Sequence, residues 1–187
     1  MLPFIEKIFV KPVEFEQISG DKRDEERRKM YSLQEKSSKE IWIVAGELDP
    51  GFYNKTFANI ISRKLKEIPD FRVGILFSKD ENLTCEQRIS LIFEQHRALC
   101  ELLKDGAFEG RFSMFLSKER PENHFGIVDN NILIEKIHKQ NDRRDVLLVN
   151  NYNNLVERYK RCFIKLAHNK DNIKRLAFDD FQNIIAA

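Results

Sequence analysis

The sequence predicts an α/β protein built on a mixed sheet, with a parallel first half, an antiparallel hairpin later and helices on both faces. Two observations carry this. Apolar, β-branched runs at Ile41–Leu48 (IWIVAGEL) and Phe71–Ser78 (FRVGILFS) read as buried strands, and an amphipathic helical pattern lies between them. Further on, short β-rich runs between Arg111 and His138 flank Asp129-Asn130-Asn131, a turn signal of the kind that joins antiparallel strands.

The composition fits one domain. The chain has 187 residues, 42% of them hydrophobic and 33% charged, enough to bury a sizeable core under a charged surface. A net charge of +2 gives no bulk attraction for nucleic acid, so any such affinity must come from local patches. Cys85, Cys100 and Cys162 are odd in number and show no CxxC spacing, which disfavours a disulfide framework and points to a reducing compartment. The N-terminal MLPFIEKIFVKPV lacks the basic start and long apolar run of a signal peptide. No run reaches the roughly 18 apolar residues of a membrane helix. The expectation is a cytoplasmic protein with no cofactor.

In chain order, residues 2–16 alternate loosely around two prolines and suit an edge strand or extended arm. Asp21–Lys39 is almost all charge, with Met30, Tyr31 and Leu33 as anchors and Asp21 as N-cap. It reads as a solvated helix, or as an arm that docks on a protein partner. After the first strand, Asp49-Pro50-Gly51 turns the chain into a helix over 52–68, with Phe57, Ile60, Ile61, Leu65 and Ile68 on one face. The strand–helix–strand order argues for parallel pairing with a right-handed crossover. Thr84 and Gln87 make a capping box before the next helix, whose apolar face includes Ile89, Ile92, Phe93, Leu99 and a core-type His96. Asp105-Gly106 ends it.

Strands follow at Arg111–Ser117, His124–Asp129, Asn131–His138 and Asp145–Val149, with a loop over 118–123. The polar junction Asn150–Asn154 leads to a helix over Leu155–Ala167, and the spacing of Ile173, Leu176, Ala177, Phe181 and Ile184 predicts a last helix over 172–185. Residues 1–40 thus read as an arm and charged helix, 41–168 as the core, and 169–187 as a C-terminal helix packed on it.

The side chains that suit a site gather around the third strand. Lys118, Arg120 and His124 lie within seven residues, beside Glu122, with Asn150 and Asn151 at a strand end taken to be adjacent. Arg and Lys give charge-assisted contacts to phosphate, and Asn adds orientation. His124 titrates near neutrality in its ordinary state. Asp129 is an odd offset from His124 and faces the other side of a regular strand, so a pair between them requires a bulge or a sheet end. Glu135 and His138 point to opposite faces of a strand, which argues against a metal site there. The plain alternative is a polar strand-end loop whose charges are solvated.

The order of elements, with HFGIVDNNILIE and LLVNNYNNLVERYKRCFIKL, resembles one half of a phospholipase D-like domain over roughly residues 30–168. The family's strand begins HxKxxxxD. With Asp129 on the motif aspartate, Glu122 takes the histidine position and His124 the lysine position, so the motif is degenerate. In that family two motifs meet in paired half-domains or a homodimer, where one histidine attacks phosphorus and the other protonates the leaving group. The resemblance implies a groove at the strand ends and a retained anion-binding role: a binding module for a phosphate-bearing ligand or a protein partner. The alternative is a metal-independent phosphodiesterase or nuclease that uses His124, with Asp129, in a rearranged site.

Overall fold

The computed structural model describes residues 15–18, 23–138, 143–150 and 153–185. The elements run β1 (Phe15–Ile18), α1 (Arg23–Lys36), β2 (Glu40–Ala45), α2 (Lys55–Glu67), β3 (Arg72–Ser78), α3 (Cys85–Cys100), β4 (Phe112–Ser117), β5 (His124–Val128), β6 (Asn131–His138), β7 (Arg143–Val149), α4 (Asn153–Ala167), β8 (Ile173–Leu176) and α5 (Asp179–Ile185). Among the described residues they form one eight-stranded sheet in the order β1-β7-β6-β5-β2-β3-β4-β8. β2, β3 and β4 pair in parallel, and every other pairing is antiparallel. Residues 2–14, Asp21 and Asn151 lie outside the described residues.

Alternation along each strand separates two cores. Ile41, Ile43 and Ala45 of β2 face one side, with Val73, Ile75, Phe77, Met114 and Leu116, and meet Phe57 and Ile61 of α2, Ile92 and Leu99 of α3, and Phe181 of α5. Met30, Tyr31 and Leu33 of α1 pack at its margin. On the other side Val44, Leu76, Phe125, Ile127 and Ile132 meet Val156 and Phe163 of α4. Burying each such Leu, Ile or Phe contributes about 1.5–3 kcal/mol.

Local chemistry sets the element ends. Asn54 caps α2 by accepting from the Thr56 and Phe57 N–H groups, and the Thr84–Gln87 capping box starts α3. α3 bends at His96, whose backbone leaves the helical region. The two-residue turn between β5 and β6 places Asp129 at φ 53°, a left-handed conformation that Asp tolerates. Its carboxylate accepts from the N–H groups of Ser38 (2.8 Å), Lys39 (2.9 Å) and Glu40 (3.0 Å), which ties this turn to the entry of β2.

One element departs from the sequence expectation. The single helix over 172–185 is replaced by β8 and the short α5. β8 pairs with β4, setting Leu176 against Met114 and Ile173 against Ser117. The open edge of β4 offers a ladder of backbone partners that a helix would forgo, and this outweighs the helical spacing.

Gly74 of β3 shows how tightly α4 is seated. A Cβ there would lie 2.6 Å from Trp42 Cε3 and 2.7 Å from Phe163 Cζ, two rings packed 4.9 Å apart by centroid. Neither ring is a flexible tip that can swing aside. Gly74→Ala is therefore expected to cost about 1–3 kcal/mol through overpacking. Thermal melting should show a fall of several degrees, and an unchanged melting temperature would mean that α4 is not held against β2 and β3 in this way.

Candidate functional site

The site grows from one rim of the sheet. The parallel strands end together, with Ala45 beside Phe77 and Ser78 beside Ser117. Past the end of β2, the Gly46 carbonyl accepts from the N–H and the hydroxyl of Ser78. β5 runs the opposite way against β2, pairing Phe125 with Val44, so its first residue, His124, arrives at the same rim. The carboxyl ends of parallel strands, where helices and loops diverge, are where α/β proteins place ligands.

His124 is 7% exposed and Glu135 stands directly opposite it on β6. The ring Nδ1 and Glu135 Oε2 are 2.6 Å apart. An ionised carboxylate only accepts, so Nδ1 carries the proton and Nε2 is the atom left for other work. Nε2 lies 2.8 Å, and Arg120 Nε 2.5 Å, from the point a Cβ on Gly46 would occupy. The missing side chain is what lets the imidazole and the guanidinium crowd one spot.

Arg120 is exposed and its backbone N–H donates to Glu81 Oε1 at 2.7 Å. Its guanidinium has no acidic partner among the described residues. The loop that bears it is fixed from below by Arg88, which donates to the carbonyls of Glu81 (2.8 Å), Leu83 (3.0 Å) and Lys118 (3.0 Å). Lys118 is exposed and its ammonium donates to the Asp171 carbonyl. Glu122 is exposed in the same loop. The structure thus brings Lys118, Arg120, Glu122 and His124 to one rim.

It separates two others from them. Asp129 sits at the far end of β5 and is committed to the N–H groups of residues 38–40. Asn150 follows β7, which runs antiparallel to β6 and pairs Val149 with Ile132, so Asn150 lies by the Asp129 turn. The strand end taken to neighbour His124 is therefore the wrong end, because the hairpin connection reverses β7. Among the described residues no group of three or more His, Cys, Asp or Glu is placed to hold a metal ion.

Two contributors are not evident from motif reading: Glu135 as the partner of His124, and Gly46 as the notch. Burial pushes the Tyr53 hydroxyl well above its ordinary range, and the charges of Glu135, Glu26 and Asp49 add to this. His96 donates Nδ1–H to the Tyr53 carbonyl at 3.0 Å, holding the 46–54 segment against α3. Burial lowers its pKa, with the Lys79 charge adding and the Tyr53 carbonyl opposing, so its ring is neutral at pH 7. Lys79, also near this rim, is engaged by Gln95 (2.9 Å) and Glu47 (3.4 Å). A cavity of about 350 Å³ lined by Phe108, Phe112, Leu176 and Phe178 lies at the opposite end of β4, away from this chemistry.

The sequence matches no protein-family model and no curated protein. Solved structures do match. The phospholipase D family member Nuc from Salmonella typhimurium superposes with a TM-score of 0.59 at 11% identity, over 89% of this chain and 99% of Nuc. Phosphatidylserine synthase from Haemophilus influenzae gives 0.57 at 15% identity, over 90% of this chain and 41% of that one. TrmBL2, an archaeal chromatin protein with a novel mode of DNA binding, gives 0.55 at 15% identity, over 86% of this chain and 54% of that one. This chain therefore spans about half the length of TrmBL2. Its fold is phospholipase D-like.

Proposed function

We propose that this chain is a binding module of phospholipase D-like fold that grips a phosphate-bearing ligand at the rim formed by Gly46, Arg120 and His124. The observation that carries the reading is that Arg120 Nε and His124 Nε2 pack side by side against Gly46, 2.5 and 2.8 Å from the point its Cβ would occupy. A guanidinium offers planar paired donors to a phosphoryl group, and an imidazole protonated on Nε2 as well as on Nδ1 offers a second, directed N–H. Lys118 widens the positive field. The degenerate motif, with Glu122 and His124 at the histidine and lysine positions, favours binding over turnover. The family resemblance favours a homodimer, in which a second copy would face this rim. TrmBL2, which shares the fold, is described as binding DNA.

Arg120→Ala tests the reading cleanly, because the backbone N–H bond to Glu81 survives the substitution. Losing charge-assisted hydrogen bonds costs about 1.5–3 kcal/mol, so binding of a dinucleotide should weaken by about 10- to 150-fold with no change in melting temperature. Titration calorimetry reads this directly. Equal affinity in wild type and variant would show that neither Arg120 nor the rim holds the ligand.

The 2.6 Å His124–Glu135 pair favours a second reading, a metal-independent phosphodiesterase. A carboxylate behind Nδ1 holds the ring so that Nε2 can act as nucleophile or base and offsets the charge the ring gains. Hydrolysis of bis(p-nitrophenyl) phosphate or single-stranded DNA in EDTA should then vanish in His124→Ala and fall strongly in Glu135→Gln. Hydrolysis that requires a divalent ion, or that survives His124→Ala, would reject this second reading.

A further inference from the structure

α4 buries one side and presents the other. Val156 and Phe163 enter the second core, with Leu155, Tyr159 and Leu166 packed beside them. On the solvent side Arg158, Arg161 and Lys165 follow i, i+3, i+7 spacing and form one exposed stripe. From Asn153 to Leu176 the chain has seven Lys and Arg against two Asp and Glu, in a protein whose whole net charge is +2. One of those acids, Glu157, is already paired with Lys160, which also meets Glu40. Arg158, Arg161, Lys165 and Lys170 have no acidic partner among the described residues.

The path of the helix gives the stripe a direction. α4 starts just after β7, at the end of the sheet that holds the Asp129 turn. It finishes at the rim, because β8 begins with Ile173 opposite Ser117 and the Lys118 N–H donates to the Asn172 carbonyl at 2.8 Å. Lys170 stands in that connection, and the Lys118 ammonium bonds to the neighbouring Asp171 carbonyl. The cations therefore run from Arg158 along α4, through Lys170 and Lys118, to Arg120.

We infer that the outer face of α4 is a phosphate-contact surface along which a single strand of nucleic acid lies before reaching the rim. Its end point rests on the rim reading above, while the stripe itself does not. The rise from Arg158 to Lys165 is about 10 Å. One charge per about 3.4 Å, the axial spacing along one strand of B-form DNA, places at most roughly three phosphates over that length. An anionic membrane is the competing polyanion. Membrane-lying helices embed a broad apolar stripe, whereas α4 has already spent its apolar side on the sheet and leaves only Ile164 exposed among its large apolar residues.

The test compares wild type with the triple variant Arg158→Gln/Arg161→Gln/Lys165→Gln. The probes are a fluorescein-labelled single-stranded oligonucleotide of about 20 nucleotides, a dinucleotide, and vesicles of phosphatidylcholine with phosphatidylserine. The variant should bind the oligonucleotide at least about tenfold more weakly at low salt, with the log–log salt slope reduced by about two. Its dinucleotide affinity and melting temperature should match wild type. The inference is overturned if wild type ignores the oligonucleotide, if the variant keeps its affinity and salt slope, or if the variant loses only vesicle binding. Oligonucleotide binding that depends on the stripe, with no dinucleotide binding in either protein, would retain the stripe and reject the rim.

Discussion

The rim can hold an imidazole and a guanidinium side by side only because residue 46 has no side chain. That gap is useful because both ends of β5 are fixed. At one end the Asp129 carboxylate gathers three N–H groups from residues 38–40 and locks the hairpin turn to the entry of β2. At the other end the β2–β5 register delivers His124 to the carboxyl ends of the parallel strands. Shifting the strand by one residue would send His124 to the α4 side, since neighbouring residues face opposite sides of a sheet. The aspartate thus works on the site from a distance, as a backbone anchor.

Magnitudes decide how the rim groups share the work. A negative charge about 4 Å from a guanidinium gains about 4 kcal/mol at the effective dielectric of a protein surface, before desolvation is subtracted. Nε2 of a ring protonated only on Nδ1 is an acceptor, so His124 gives phosphate a donor only as the imidazolium. Under the proposed phosphate contact, Arg120 dominates affinity and His124 supplies direction. The Glu135 contact is chiefly orientational: it fixes the proton on Nδ1 and so sets where Nε2 points. Removing Glu135 would strand a buried N–H donor, at a cost of about 1–3 kcal/mol. The same reasoning explains Arg88: it is 9% exposed and satisfied by main-chain carbonyls, so it serves the loop and not a ligand.

Most of the architecture was legible because the two periodicities were clean. The apolar runs at 41–48 and 71–78 are strands, the Thr84–Gln87 box starts α3, and the turn at Asp129 is where its composition placed it. The C-terminal strand was hidden, since Ile173 and Leu176 satisfy a helical pattern and only an unpaired neighbour makes a strand preferable. The site was half legible. Lys118, Arg120 and His124 stand out by type and closeness. The His124–Glu135 pair was recoverable too: equal steps outward from a two-residue turn set position 124 opposite position 135. Asn150 was misplaced because strand direction beyond a second hairpin is not written in the residues near it. Gly46 leaves no local signal, since its role is defined by side chains some 75 residues further on.

If His124 Nε2 and the Arg120 guanidinium together face a bound phosphate group, the imidazole nitrogen must sense its arrival. Long-range ¹H–¹⁵N NMR of the imidazoles, during titration with a dinucleotide, tests it most directly. A saturable shift of His124 Nε2 is expected, abolished in Arg120→Ala, with the buried ring of His96 and the exposed ring of His168 unmoved. A shift confined to His168, or a His124 resonance that ignores the ligand while binding proceeds, would contradict it.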